Sequence, residues 1–362
     1  MGQEVKTGIR QYNGRMLYVD NTYDTNCLLQ KKSLPYTGSS ASLWDTYTYD
    51  QFDRLTKIKY ASGREDTYSY SGTSITENKN GIQTVRTTDS RGKLIKVTDA
   101  SGTVCYSYLS NGSPDSISVN DAIYTTFDYD EYGRQIKLID PNTGTKTMTY
   151  DHCGNVASET NGNGNVVEYR YDNYNRKIKQ EYVGELTTDY SYNEDDGLLA
   201  SEISSNGTSK TYTYDEYGNL LSEYERSGVN GFNLGKNYVY DKGLVSRIYY
   251  TYEPQPFATM AIGNEKYEYL NGHLVKIYWN DKEVWEISGI NDQGLITDCT
   301  TGALSRTYAY DSYGSLLRRT VKNLNTGVMM QAFGYHFSPT SGNLMWRKDE
   351  KRNLQENFEY DM

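Results

Sequence analysis

A Tyr-Asp pair recurs along this chain at an almost fixed spacing. From Tyr129-Asp130, three equal steps reach Tyr150-Asp151, Tyr171-Asp172 and Tyr192-Asn193, and a step longer by one position reaches Tyr214-Asp215. Each pair sits in a frame that reads Tyr-x-Tyr-Asp-x-x-Gly, as at Tyr212-Thr213-Tyr214-Asp215-Glu216-Tyr217-Gly218. A fixed period of this length means that one supersecondary unit is copied, and that each copy leans on its neighbours to bury its apolar face. This pattern points away from a compact enzyme.

The frame translates into geometry. Phe127 and Tyr129 lie two positions apart, so they share one face of a strand. Asp130 follows at the strand end, where its carboxylate can accept the backbone N–H of Tyr132. Gly133 falls where the chain must take a positive φ to re-enter a hairpin. Ile136 and Leu138 then alternate with Gln135, Lys137 and Ile139, which predicts a second strand running back against the first. Asp140-Pro141-Asn142-Thr143-Gly144 forms the return turn. One repeat is therefore two strands and two turns. No helical period competes over any length that matters.

The same register extends both ways. Upstream copies are Tyr47-Thr48-Tyr49-Asp50, Tyr68-Ser69-Tyr70 and Tyr106-Ser107-Tyr108, with a degenerate one at Thr87-Thr88-Asp89. Downstream copies are Tyr238-Val239-Tyr240-Asp241, Tyr267-Glu268-Tyr269, Tyr308-Ala309-Tyr310-Asp311 and Phe333-Gly334-Tyr335, with a weak one at Ile290-Asn291-Asp292. Residues 1–44 read as a degenerate lead-in in which Tyr23-Asp24 is a worn copy. Residues 45–362 read as an array of about 14 repeats. The spacing stretches from Tyr214 to Tyr240 and again from Tyr240 to Tyr269. This predicts an insertion loop near 250–263, around Tyr252-Glu253-Pro254-Gln255-Pro256-Phe257.

Composition sets the thickness of such a sheet. There are 38 Tyr but 7 Phe and 4 Trp, and hydrophobic residues are 36%, against roughly 45–50% apolar (Gly included) in average soluble domains. Too little aliphatic side chain remains for a thick core. Tyr supplies an apolar ring that keeps a polar tip. The net charge of -10 is scattered, and such a surface repels nucleic-acid phosphates. No apolar run is long enough for a transmembrane helix. Met1 to Arg10 carries no signal-peptide pattern. The closing Phe358-Glu359-Tyr360-Asp361 resembles the opening of another repeat, which suggests a piece of a longer chain.

The frame Tyr-x-Tyr-Asp-x-x-Gly-Arg/Asn-x-Leu/Ile, clearest at residues 127–136 and 212–221, resembles the YD repeat of the RHS/YD-repeat family. The resemblance covers residues 45 to 362. It implies an all-β fold: tandem β-hairpins joined into one long antiparallel sheet, curled or spiralling, as part of a hollow shell. It also implies a non-enzymatic shell segment of a large bacterial secreted or surface protein, extracellular or at the cell surface. The implied partners are the rest of the parent chain and a polypeptide cargo. Toxin-type members of the family self-cleave at a motif resembling Asp-Pro-x-Gly. Nothing after Gly342 matches it, and Asp140-Pro141-Asn142-Thr143-Gly144 has one residue too many.

No catalytic, cofactor-binding or metal-binding residue is therefore expected. His152, His273 and His336 are far apart and have no partner at ligand spacing. Cys27, Cys105, Cys153 and Cys299 have no paired spacing and read as isolated thiols. The recurring aspartates come once per repeat, too sparse for a calcium loop. Asn161-Gly162-Asn163-Gly164-Asn165 reads as a turn. The residues expected to build the repeat are Tyr49, Asp50, Tyr129, Asp130, Gly133, Tyr150, Asp151, Gly154, Tyr171, Asp172, Tyr214, Asp215, Gly218, Tyr240, Asp241, Tyr310, Asp311 and Gly314. The alternative reading is an adhesion or carbohydrate-binding repeat module that contacts a glycan or cell-surface receptor through Trp279 and Trp285.

Overall fold

The computed structural model describes residues 2–228, 232–254 and 259–360. Thirty-two strands run from Lys6–Arg10 to Leu354–Asn357 in an antiparallel sheet, and no helix occurs among the described residues. The all-β hairpin array expected from the sequence is what forms. The chain divides into two units, one of Met1–Ser101 with Tyr267–Met362 and one of Gly102–Lys266.

The second unit holds the regular repeats. Strand Gly144–Tyr150 pairs with Val156–Thr160, which pairs with Val166–Tyr171, which pairs with Lys177–Tyr182. Sequence neighbours are thus sheet neighbours, which is what short hairpin turns enforce. Along Ser209–Tyr214 the side chains of Tyr212 and Tyr214 are half-buried while Thr211 and Thr213 are exposed. The two tyrosines of each frame therefore share a face. The register shifts by one position immediately before the second tyrosine, at Thr149/Tyr150, Arg170/Tyr171, Ser191/Tyr192 and Thr213/Tyr214. A bulge at every repeat increases the local right-handed twist.

Beyond Tyr214 the strands lengthen. Phe232–Asp241 has 10 residues, and Leu244–Pro254 and Met260–Leu270 have 11 each. The stretched spacing read from the sequence goes at least partly into longer strands. Pro254 ends its strand opposite Phe232, where a missing N–H is tolerated. The tip of the expected loop, 255–258, lies outside the described residues.

The first unit begins with strands Lys6–Arg10, Met16–Tyr23 and Leu29–Ser33, paired in order. Its later stretch runs from His273–Trp279 to Leu354–Asn357.

The sheet buries little. Among the described residues only Val275, Cys299, Val321 and Ala332 are buried apolar side chains, and none is less than 2% exposed. The accessible surface is 22668 Å², whereas a compact monomer of this length has roughly 15,000 Å². A single layer of strands accounts for the difference.

Candidate functional site

The repeating unit itself is the conspicuous site. At Asp130 the carboxylate Oδ1 accepts the backbone N–H groups of Tyr132 and Arg134 at 3.0 and 2.8 Å. The Asp130 N–H donates to the Arg134 carbonyl, and the Gly133 N–H donates to the Asp130 carbonyl. Gly133 has φ 79°, a conformation that glycine adopts without steric cost. The same carboxylate pattern recurs at Asp50, Asp151, Asp172, Asp215 and Asp311. Asn161 and Asn291 reproduce it with an amide oxygen.

The fourth turn position need not be glycine. Asp53 and Asn175 take it with φ 61° each, while Gly154, Gly218 and Gly314 hold φ between 82° and 92°. Asp241 departs from the pattern. There Lys242 and Gly243, both at positive φ, make a tighter turn, and Asp241 pairs with Leu244 inside the ladder.

Electrostatics follow the hydrogen bonds. At Asp130 and Asp172 partial burial opposes ionisation, but the N–H groups of the turn and the guanidinium of Arg134 or Arg176 outweigh it and hold the carboxyl below its usual range. At Asp50 the Arg54 guanidinium is the leading cause of the same shift. At Asp215 the Asn219 amide leads.

In most repeats the second tyrosine of the frame does more than cover a face. The Tyr171 hydroxyl donates to the Val156 carbonyl at 3.0 Å, and Tyr150 donates to Gln135 at 2.6 Å. Tyr192, Tyr214 and Tyr240 donate to Lys177, Leu199 and Leu220 at 2.8 to 3.0 Å. In the first unit Tyr49, Tyr70 and Tyr310 donate to Leu29, Leu55 and Ile296. Each acceptor opens the strand after the preceding turn. Gln135 is the residue opposite Tyr129, and Val156 the one opposite Tyr150. The hydroxyl thus reaches the preceding hairpin at its bulge, where the ladder is interrupted.

Arginine links neighbouring turns. Arg134 pairs with Asp130 at 2.7 Å and lies between the rings of Tyr132 and Tyr150, at 5.0 and 4.6 Å. Arg176 repeats this with Asp172, Tyr174 and Tyr192. The intervening repeat uses Asn155, whose amide donates to Asp151 and to Asn175 of the next turn.

Comparison with known proteins accords with this geometry. The model of the RHS Repeat family matches residues 129–166. The crystal structures of TcdB2-TccC3-TEV and TcdB2-TccC3 each match with TM-score 0.75 and 13% identity, over 93% and 95% of this chain and 20% and 21% of theirs. The Photorhabdus luminescens Tc holotoxin pore matches with TM-score 0.55 and 15% identity, over 93% of this chain and 20% of that one. No curated protein matches. Residues 129–166 thus carry an RHS repeat, and the chain shares the fold of these solved structures. It spans about a fifth of the length of the solved chains it matches.

Other candidate groups occupy ordinary positions in the hairpin array. Among the described residues no three His, Cys, Asp or Glu lie close enough to share a metal ion, and no helix is long and apolar enough to cross a membrane. The four cysteines are free thiols. Trp285 is half-buried in strand Lys282–Ile290, and Trp279 is 37% exposed at the end of His273–Trp279. His336 stacks on Trp346 at 5.7 Å.

Sequence reasoning missed a set of contacts within the first unit. The turns that precede Tyr strands form one edge of the sheet, the return edge. The turns that follow them form the other, the YD edge. Here early return turns meet late YD turns. Arg15 Nη1 donates to Asp292 Oδ1 at 3.2 Å, and Thr37 Oγ1 donates to the same oxygen at 2.7 Å. Asn271 Nδ2 donates to the Gln11 and Tyr12 carbonyls, and His273 Nε2 to the Arg10 carbonyl at 2.7 Å. Asn80 Nδ2 donates to the Ser341 carbonyl. Gly294 approaches Leu17 so closely that a Cβ there would lie 2.9 Å from its Cδ2.

Proposed function

We propose that this chain is a wall segment of an RHS shell, non-enzymatic, in a large secreted or surface protein that encloses or displays a polypeptide cargo. The observation that carries this reading is the one-layer wall itself. Eight described repeats are tied to the one before by a tyrosine hydroxyl on a backbone carbonyl, with hardly a buried side chain between them. Such a wall separates two sides. The likeness of fold to TcdB2-TccC3 supports the same role.

The test is protection. An unstructured polypeptide fused to the full chain should be cut by proteinase K at least about tenfold more slowly than the same polypeptide mixed in trans, as expected when cleavage needs exposure. Equal rates would remove the enclosing role. Saturable binding on a glycan array, lost in Trp279→Ala or Trp285→Ala, would favour the carbohydrate-binding alternative.

A further inference from the structure

The YD edge of the second unit carries three protruding phenols. Tyr132, Tyr174 and Tyr217 are 75%, 79% and 82% exposed. They occupy the same turn position in alternate repeats. Arg134 and Arg176 stack on two of them at 5.0 Å, which restrains the rings before any partner arrives. Restrained, exposed tyrosines are what interfaces select, because they add contact area at low entropic cost.

In the first unit, return turns lie beside residues that neighbour this position. Tyr313 holds the same place in its turn and is 38% exposed. Its neighbour Ser312 lines a cavity of about 230 Å³ together with Leu34, Pro35 and Leu43 of a return turn. Asp292, at the second position of the adjacent YD turn, takes Arg15 and Thr37 from return turns. The equivalents of Asp292 in the second unit include Glu131 and Glu216, both exposed. Return turns of that unit are rich in neutral hydrogen-bonding groups, with Asn142, Asn163 and Asn206 exposed. One chain therefore carries both kinds of edge, and its first unit already brings the two kinds together.

We propose that the YD edge of the second unit, marked by Tyr132, Tyr174 and Tyr217, docks the return edge of a second copy of this chain. The two surfaces differ, so the contact is heterologous. It leaves one edge of each kind free and adds copies head to tail. Association depends on the phenol rings more than on the glutamates, because exposed ion pairs contribute little.

Sedimentation velocity on the full chain over a concentration series tests this. Wild type should associate with an apparent Kd at or below about 100 μM. The triple variant Tyr132→Ser/Tyr174→Ser/Tyr217→Ser should bind at least about tenfold more weakly, with unchanged circular dichroism. A return-edge variant, Asn142→Glu/Asn163→Glu, which sets like charge against Glu131 and Glu216, should lose self-association in the same way. Mixed together, the two variants should form a one-to-one heterodimer and stop there, since each keeps one intact half. The proposal is overturned if wild type stays monomeric over the series, if the tyrosine variant associates like wild type, or if the mixture gives no heterodimer. Association that survives both variants would overturn it too, and would place the contact at the terminal strands instead.

Discussion

Tyr171 shows why the repeat uses tyrosine where phenylalanine would bury the same ring. Its hydroxyl satisfies the Val156 carbonyl across a bulge. Tyr171→Phe should therefore cost about 1 kcal/mol, the net worth of one hydrogen bond with its acceptor left behind. Tyr214→Phe, two repeats away, should add a similar amount nearly independently. Urea unfolding at fixed m reads both, and a loss below the measurement error for the double variant would refute the tie. The half-buried ring was legible from the alternation of Tyr212 and Tyr214 with threonines. The acceptor was not, because nothing in the sequence says which carbonyl of the preceding hairpin stands open.

The aspartates beside these tyrosines give a pH signature. Asp50, Asp130, Asp172 and Asp215 are all harder to protonate folded than unfolded. The stability they add is present above the unfolded carboxyl range, roughly pH 4, and is lost as pH falls through the lower folded values. Melting temperature should thus fall on acidification below about pH 4. Asp172→Asn should flatten this acid limb, because the amide keeps an oxygen for the turn N–H groups, as Asn161 does, but does not titrate. Asp172→Ala removes that oxygen too and should destabilise more at neutral pH. An acid limb unchanged in Asp172→Asn would show that other carboxyls govern it.

At the scale of the hairpin, the turn sets register and the edge sets neighbours. Gly133 and Gly294 have nearly the same φ, 79° and 81°. A Cβ at Gly133 meets open space, while one at Gly294 meets Leu17. Gly133→Ala should cost about 1 to 2 kcal/mol of backbone strain alone. Gly294→Ala should cost that and also loosen the contact of its turn with residues 10–17. Hydrogen exchange separates the two effects, with faster exchange around Leu17 expected only in Gly294→Ala. Most of the hairpin was legible, since Asp opening and Gly closing a turn have a local cause. What escaped was substitution within the turn. Cys27 holds φ 67° while Asp24 caps the turn like any other repeat Asp, so Tyr23-Asp24 looked more worn than it is. Asp241 looked typical, yet Lys242-Gly243 closes a tighter turn. The contacts of Asp292 with Arg15 and Thr37 join opposite ends of the chain, and no local pattern encodes such a separation.

For the whole molecule, a chain with few buried side chains must be stable by addition. Each repeat contributes its own hairpin and one interface with the next. One period of the sequence is then a unit that can be removed. Deleting residues 151–171 joins Tyr150 to Asp172 and restores an intact frame with its turn, its bulge and its tyrosine tie. That variant should fold with the same circular dichroism per residue and a urea m value lower in proportion to the lost strands. Deleting residues 161–170 removes less of the chain but takes out one return turn and most of one strand. Every later turn would then change edges, and the hydroxyl of Tyr171 would have no bulge to reach. This shorter deletion should unfold or aggregate, because unpaired strand edges invite non-native pairing. If both deletions behaved alike, stability would not reside in the repeat frame.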